Sequence, residues 1–223
     1  MCGRFALTSD METLLYRFSA IVQPDLDLLP RYNIAPTQEV ISIVSDGTHN
    51  RLGNLRWGLI PFWAKNRAIG RKMINARSET LHEKPSFSQL LTSKRCLVLA
   101  NGFYEWKREN NEKQPMYIKA QDDQPMAFAG LWDKCQHPSG EVLSSCTIIT
   151  TTPNRLMEAI HNRMPVILNK DSEQLWLDTS ISDHEVLQPL LVPCADRYLE
   201  AYKVSNMVNN PRNESPECQR RVH

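Results

Sequence analysis

The pattern of hydrophobic and polar positions predicts short strands and short helices that alternate irregularly. Apolar residues at 11, 14, 15 and 18 have helical spacing, and Ser9 with Glu12 forms a capping box ahead of them, so we predict an amphipathic helix from about residue 10. Pro85, Pro153 and Ser172 have the positions of helix openings. They predict further short helices near residues 85–92, 153–160 and 171–178.

Strands are predicted where β-branched and other apolar residues form short runs bounded by turn residues. The run at 40–45, followed by Asp46-Gly47, is typical of a hairpin whose second strand lies within 52–60. Further strands are predicted at residues 96–100, 115–120, 126–132, 145–150 and 164–168. Because these strands do not alternate regularly with helices, we predict an α+β fold on a mostly antiparallel sheet.

Length and composition indicate one globular domain. The chain has 223 residues, of which 41% are hydrophobic and 23% charged, and no repeat or linker interrupts it. We predict a single domain over residues 1–210. From Asn206 onward few residues are core-forming, so we predict a mobile tail over residues 211–223.

Several classes of protein are excluded by what the sequence lacks. No apolar run approaches the 18 residues of a membrane-spanning helix, and the first ten residues do not have the pattern of a secretory signal. We therefore expect a cytoplasmic monomer with no membrane partner. The six cysteines form no C-x-x-C pair, so we predict no metal site and no cofactor.

The charge is distributed unevenly along the chain. The formal net charge is only +1, which by itself argues against binding to nucleic acid through bulk charge. Residues 47–78, however, contain seven basic and no acidic side chains, so the remainder has 19 basic against 25 acidic residues, a balance of −6. Trp57, Phe62 and Trp63 lie within this basic window, a combination typical of a groove for single-stranded nucleic acid. The alternative is a solvated loop with two core tryptophans.

Cys2 is the residue whose chemistry is most specific. Enzymes that remove initiator methionines accept a small second residue, so loss of Met1 would leave an α-amine and a thiol on adjacent carbons. Their ordinary pKa values, about 8 and about 8.5, leave part of each group nucleophilic near neutral pH. An amine and a thiol so placed can close a thiazolidine ring on an aldehyde. The alternative is that Cys2 only follows the start codon.

Four further polar residues have settings that suit a site. Glu105 lies among aromatic residues, which would raise its pKa and suit it to acid and base catalysis, although such a residue can also point outward from a strand. His161 follows a predicted helix, where an imidazole can face a cleft. Asn75 and Arg77 alternate around Ala76, so an extended segment would project both to one side, for a ligand or for structural hydrogen bonds.

Six blocks of sequence together resemble the SRAP (SOS response-associated peptidase) family. The match extends from Cys2 to about residue 210. The blocks are MCGRF at 1–5, RYNIAP at 31–36, RWGLIP-F-W at 56–63, INAR-E at 74–79, GFYEW at 102–106 and H-x-RMPVIL at 161–168. The resemblance implies an α+β domain around a barrel-like, bifurcated sheet with a basic groove for one DNA strand.

The resemblance also implies a function in the DNA damage response. Cys2, exposed by removal of Met1, would form a thiazolidine cross-link with the ring-opened sugar of an abasic site in single-stranded DNA. Asn75 would position that sugar, Glu105 would act as acid and base, and His161 would assist proton transfer and reversal. The expected DNA contacts are Arg4, Trp63, Arg77 and Arg163. Lyase activity and self-removal of Met1 are further expectations from the family.

Two other functions are open at this point. Amidohydrolases with an N-terminal nucleophile also begin with Cys-Gly, and they would use the amine as a base for attack of the thiol on an amide. A noncatalytic binder of single strands would need the basic window but not Cys2.

Overall fold

A computed structural model describes residues 2–24, 26–109, 112–136 and 140–222. In these residues the chain forms fourteen strands and five α-helices, besides short 3-10 helices. The strands are β1 Phe5–Leu7, β2 Ile21–Val22, β3 Arg31–Ile34, β4 Glu39–Ser45, β5 Asn50–Trp57, β6 Asn75–Arg77, β7 Arg95–Ala100, β8 Gly102–Glu109, β9 Glu112–Ala120, β10 Met126–Gln136, β11 Val142–Thr151, β12 Met164–Pro165, β13 Ile167–Leu168 and β14 Leu199–Lys203. The helices are α1 Met11–Phe18, α2 Pro85–Ser93, α3 Arg155–Glu158, α4 Lys170–Leu177 and α5 His184–Leu187.

Five strands close into a barrel. Antiparallel pairing joins β11, β10, β7, β4 and β5 in that order, and β5 then pairs in parallel with β11. This closing pairing is short: it places Arg56 level with Ser145 and Trp57 level with Cys146. Trp57 is completely buried in the core that the barrel encloses. The predicted hairpin of β4 and β5 is confirmed by their continuous antiparallel register.

A second, antiparallel sheet lies against the barrel, in the strand order β14, β9, β8, β1, β3. Phe5 of β1 and Phe103 of β8 both contact Phe128 of the barrel strand β10, with ring centroids 6.0 and 5.9 Å apart. Phe5 also contacts Trp57 at 5.1 Å. The predicted α+β class, with a mostly antiparallel and barrel-like sheet, is confirmed.

Helix α1 begins one residue later than the predicted capping box implies. Asp10 is the N-cap, and its carboxylate accepts the Thr13 N–H at 2.8 Å. Ser9 instead contacts Asn101, whose amide oxygen accepts the Ser9 N–H at 2.9 Å. Ser9 therefore holds the end of β1 against the loop that precedes β8.

The predicted strand at 164–168 is divided in two because it bridges two barrel strands. Val166 donates its N–H to Ile149 of β11 and accepts the N–H of Ala129 of β10, at 2.9 Å each. The helix predicted at 153–160 is shorter than expected, because Asn154 caps it and α3 ends at Glu158.

The tail predicted over residues 211–223 belongs to a segment that packs against the second sheet. Residues 206–222 cover the outer face of the second sheet, where Val208 and Cys218 are completely buried beside Tyr104 and Tyr117. Gln219 also donates to the Tyr117 hydroxyl at 2.8 Å. Few apolar side chains suffice for this packing, because the tyrosines of the sheet supply most of the apolar surface. None of the helices in the described ranges is long and apolar enough to cross a membrane.

Candidate functional site

The N-terminal residues extend the register of β1 along β8. Phe5 is paired with Phe103, and the Tyr104 N–H donates to the Arg4 carbonyl at 2.9 Å. Continuing this antiparallel register places Gly3 opposite Glu105, so Cys2 lies beside the same part of β8. Cys2 is completely buried. The expectation of a cleavable Met1 concerns a residue outside the described ranges.

Glu105 points from β8 toward Cys2 rather than outward to solvent. Side chains alternate along the strand, so Tyr104 faces the outer cluster, whereas Phe103 belongs to the main core. The Glu105 side chain is only 4% exposed. Burial raises the pKa of its carboxyl, partly offset by attraction to His161. The reading of Glu105 as an outward-facing strand residue is therefore not supported.

His161 follows α3 and approaches the Glu105 carboxylate. Its backbone N–H continues the last turn by donating to Met157 O at 2.8 Å, and its Nδ1 lies 4.0 Å from Glu105 Oε1. The backbone N–H of Arg163 donates to the same Nδ1 at 3.1 Å, and the Arg163 carbonyl oxygen lies 3.2 Å from it. The ring is 27% exposed and therefore has access to solvent.

Asn75 reaches the site from the opposite side, on β6. Its Nδ2 donates to the Cys2 carbonyl at 2.9 Å. The buried Oδ1 has no hydrogen-bond partner among the described residues, so it can accept a bond from a ligand. Two contacts hold the start of β6 in place: Trp57 Nε1 and the Ile148 N–H both donate to Ile74 O, at 2.9 and 3.1 Å.

Three residues that lie far apart in the sequence, Asn75, Glu105 and His161, therefore meet near Cys2. Burial, and secondarily repulsion by Glu105, raise the pKa of the Cys2 thiol well above its usual value. A thiol in this environment needs a neighbouring base to take its proton as it attacks. An open cavity of about 380 Å³ lies beside Glu105 and His161. It is lined by Glu105, Trp106, Arg108, Lys113, His161 and Asn209.

Two of the four expected DNA contacts are engaged within the protein. Arg163 forms a bidentate ion pair with Glu79 at 2.6 and 3.0 Å and also donates to Thr150 O at 2.6 Å. This pair lowers the pKa of the Glu79 carboxyl. Arg4 is half-buried and donates from Nη1 to Asn33 and to the Val208 carbonyl, at 2.8 and 2.7 Å.

The other two expected DNA contacts are exposed. Trp63 is 53% exposed in the loop after β5, where the neighbouring Phe62 is 60% exposed. Arg77 is exposed at the end of β6, and Ala76 between Asn75 and Arg77 is buried. This alternation confirms the prediction that Asn75 and Arg77 project to one side of an extended segment. Arg77 is exposed, whereas Asn75 is half-buried.

Residues that the sequence analysis did not single out also shape the site. Asn33 and Glu79 hold Arg4 and Arg163, and Asn209 accepts a hydrogen bond from Trp106 Nε1 at 2.7 Å. Asn33 and Glu79 occur within the blocks quoted for the family resemblance, but only the fold shows their partners. In the described ranges, no three His, Cys, Asp or Glu side chains cluster as metal ligands do.

The chain is similar over its whole length to known proteins. The abasic site processing protein YoqW of Bacillus subtilis is 53% identical over 220 residues, which cover 97% of this chain and 98% of that protein. The abasic site processing protein YedK of Escherichia coli is 29% identical, with the same coverage of both chains. HMCES of Xenopus tropicalis, also an abasic site processing protein, is 36% identical over 85% of this chain and 65% of its own length.

The fold has a close counterpart among solved structures. A crystal structure of a protein from Bacteroides thetaiotaomicron superimposes with a TM-score of 0.90 at 28% identity, and the match covers 100% of both chains. A family model for the SOS response associated peptidase (SRAP) matches residues 1–211. The chain therefore belongs to the SRAP family.

Proposed function

We propose that this protein processes abasic sites by capturing them covalently in single-stranded DNA. After removal of Met1, the amine and thiol of Cys2 would form a thiazolidine with C1′ of the ring-opened sugar. The observation that carries the proposal is the register of the N-terminus on β8, which brings Cys2 beside the buried Glu105 with His161 at 4.0 Å. The names of the relatives, all abasic site processing proteins, support the choice of substrate.

The proposed reaction consumes one aldehyde and releases one water. Glu105, as the acid, donates a proton to the ring oxygen while the C1′ hydroxyl loses one, which opens the hemiacetal to the aldehyde. The Cys2 amine then adds to C1′, and loss of water gives the iminium. Sulfur attacks C1′ of this iminium to close the ring, and the thiol proton passes to the Glu105 carboxylate or to His161.

The environment of each group suits its proposed role. A raised pKa keeps part of the Glu105 carboxyls protonated nearer to neutral pH, as an acid catalyst requires. His161 exchanges protons with solvent from its partly exposed ring and assists the reverse reaction. Asn75 Oδ1 would accept a hydrogen bond from the Cys2 amine or from the sugar, which holds the reacting atoms together.

DNA would lie across the exposed side of the site. Arg77 would contact a phosphate and Trp63 would stack on a base, because both side chains are open to solvent. The side chains of Arg163 and Arg4 are already oriented by an ion pair and by hydrogen bonds within the protein. They would attract the DNA backbone by their positive charge and donate to it from their remaining N–H groups. We further propose that the protein acts as a monomer in the cytoplasm, at the nucleoid when it is bound to DNA.

In this proposal, the thiol of Cys2 determines whether the DNA strand is protected or cleaved. An amine alone forms an imine, through which the sugar can undergo β-elimination and the strand is cut. Ring closure by sulfur removes that imine. We therefore propose that the wild-type protein protects the strand, and that lyase activity emerges when the thiol is absent.

A denaturing gel tests this proposal. Wild-type protein and Cys2→Ala are each incubated with a single strand that contains one abasic site. We expect a denaturant-stable band for wild type, and for Cys2→Ala little stable adduct with more strand cleavage. Cys194→Ala, which removes another cysteine, is the matched control and should behave as wild type. Equal amounts of stable adduct from wild type and Cys2→Ala would contradict the proposal.

A blocked N-terminus tests the role of the amine. A protein with an N-terminal extension that cannot be removed should form no cross-link, because the amine of Cys2 would then be an amide. Full cross-linking with the extension in place would exclude the amine as nucleophile.

The same preparations separate the two other functions. Glutaminase activity without DNA would identify an amidohydrolase. Salt-sensitive binding that is indifferent to the abasic site and to Cys2 would identify a noncatalytic binder of single strands.

A further inference from the structure

We infer that Asn33 is a positioning residue that fastens the C-terminal segment, residues 206–214, to the chain just after Cys2. The inference rests on the proposed function, because it concerns the placement of the proposed nucleophile. Cys2 must keep its amine and thiol open to the substrate. Apart from the hydrogen bond that Asn75 donates to the Cys2 carbonyl, the chain can therefore be held only from the residues that follow Cys2.

Asn33 is a completely buried amide at the centre of a group of hydrogen bonds. Its Nδ2 lies 3.3, 3.0 and 2.8 Å from the carbonyls of Val208, Asn210 and Asn213, and its Oδ1 accepts from Arg4 Nη1 at 2.8 Å. An amide is the neutral side chain that can donate and accept in this way. A single side chain therefore joins three backbone carbonyls of the C-terminal segment to Arg4.

Arg4 transmits this contact to the start of the chain. Its Nη1 also donates to the Val208 carbonyl at 2.7 Å, and its own carbonyl accepts the Tyr104 N–H at 2.9 Å. Arg4 is therefore held by its side chain and by its backbone, two residues after Cys2. Because its side chain and its backbone are both held, Arg4 fixes the direction in which Cys2 approaches Glu105.

The C-terminal segment is itself anchored at two further points. The Glu214 carboxylate accepts the N–H groups of Tyr32 and Asn33 and pairs with Arg31 at 2.9 Å. At the other end, Asn209 accepts from Trp106 and lines the same cavity as Glu105. The segment thus contributes Asn209 to the lining of the cavity and also supports Arg4, which orients Cys2.

Small displacements of a nucleophile have large effects on rate, about 100-fold for 1 Å. We therefore expect Asn33→Ala to slow cross-linking at saturating abasic single-stranded DNA by about ten-fold or more. The DNA concentration that gives half the maximal rate should stay within about three-fold of wild type, because Asn33 is buried away from DNA and its replacement leaves the positive charge of Arg4 in place. The measurement is the single-turnover rate of formation of the denaturant-stable adduct as a function of DNA concentration.

Asn101→Ala is the matched control. Asn101 also fixes neighbouring backbone, by accepting the N–H groups of Thr8 and Ser9, but it lies at the other end of β1. It should leave the maximal rate within about two-fold of wild type. An equal loss of rate in both variants would show a merely structural effect and overturn the inference, as would a wild-type rate for Asn33→Ala.

A milder variant covers the case in which Asn33→Ala does not fold. Glu214→Gln keeps the shape of the side chain but weakens the anchor of the C-terminal segment, and it should lower the maximal rate by about three-fold with the half-saturating concentration unchanged. If Asn33→Ala is unfolded and Glu214→Gln reacts as wild type, the inference is overturned. Failure of the proposed function is distinct, since the wild-type protein would then form no adduct.

Discussion

At the scale of single residues, the proposed role of Glu105 conflicts with stability. A carboxylate in an apolar environment is poorly solvated, so burial favours its protonated form and raises its pKa. Among the described residues it is one of few buried acidic side chains, with Asp133 and Glu173. Asp133 and Glu173 form ion pairs with Lys94 and Arg17 at 2.5 and 2.7 Å, and Glu105 Oε1 lies 4.0 Å from His161 Nδ1.

We expect Glu105→Gln to stabilise the fold while it slows cross-linking. A group with a raised folded-state pKa stabilises the fold below its unfolded-state pKa, about 4.3 for glutamate, and that contribution is lost as pH rises through the folded-state pKa. Glutamine is neutral at every pH, so its contribution to the free energy of unfolding does not fall as pH rises. The free energy of unfolding of Glu105→Gln relative to wild type should therefore increase between pH 5 and pH 8. Urea denaturation at the two pH values measures it.

Glu112→Gln is the control for that measurement, because Glu112 is exposed at the start of β9. Its effect on the free energy of unfolding should be the same at both pH values. A difference between wild type and Glu105→Gln that does not change with pH would contradict the assignment of a raised pKa to Glu105.

At the scale of elements, the close approach of two backbone segments positions Asn75. Gly58 follows Trp57 at the closure of the barrel and has a φ of 121°, which a residue with a side chain rarely adopts. Gly70 lies in the 3-10 helix Arg67–Lys72, five residues before Asn75. A Cβ at Gly70 would lie 2.6 Å from the Gly58 carbonyl oxygen. The absence of both side chains allows the two segments to meet.

Gly70→Ala should therefore destabilise the fold and disturb the site. The added methyl group must displace backbone, so we expect a loss of about 1–3 kcal/mol in the free energy of unfolding and slower cross-linking. Chemical denaturation and the adduct gel measure the two effects. Ala68→Gly, an exposed position in the same 3-10 helix, should cost at most about 1 kcal/mol and leave the rate unchanged. A smaller cost for Gly70→Ala than for Ala68→Gly would contradict the steric explanation.

The elements that could be predicted from the sequence are those with an apolar run of their own. The hairpin of β4 and β5 and the helix that opens at Pro85 meet this condition, and both are confirmed. Strand β6 has only three residues, and its pairing with β11 depends on contacts distant in sequence. Strand β8 contains a buried glutamate and ends in charged residues, so its pattern does not indicate a strand. The strand that carries Glu105 was therefore not predicted.

At the scale of the whole molecule, the basic window overstates the charge near the site. Arg51 pairs with Asp46, and Arg67 pairs with Glu141 at 3.1 Å. Strands β5, β11 and β6 run parallel, with Arg56 level with Ser145 and Arg77 level with Thr150. Arg51 is therefore about ten residue positions from Arg77 along the strand direction, roughly 30 Å. The sequence alone could count these charges but could not show that they lie on separate parts of the surface.

Arg77→Ala and Arg51→Ala test this distribution directly. Loss of one phosphate contact should weaken binding of single-stranded DNA by Arg77→Ala and reduce the slope of log affinity against log salt concentration by about 0.7. Arg51→Ala should change neither quantity, because Arg51 is distant and already paired. Binding titrations at several salt concentrations measure both variants, and equal effects would contradict a localised DNA surface.

The site itself could be predicted only as separate residues. Cys2, Asn75, Glu105 and His161 come from four segments, and no spacing rule relates them; their convergence depends on the closure of the barrel and on the register of β1 with β8. The family resemblance supplied the expectation that they act together. The structure adds the engagement of Arg4 and Arg163 within the protein, which the sequence could not indicate.

The mass of the intact protein after reaction with an abasic oligonucleotide tests the central claim most directly. We predict a protein without Met1 whose adduct equals the sum of protein and DNA minus one water, stable without reductant, absent for Cys2→Ala, and mapped by peptide analysis to Cys2. An adduct of the same mass and stability on Cys2→Ala, or attachment at another residue, would contradict the account.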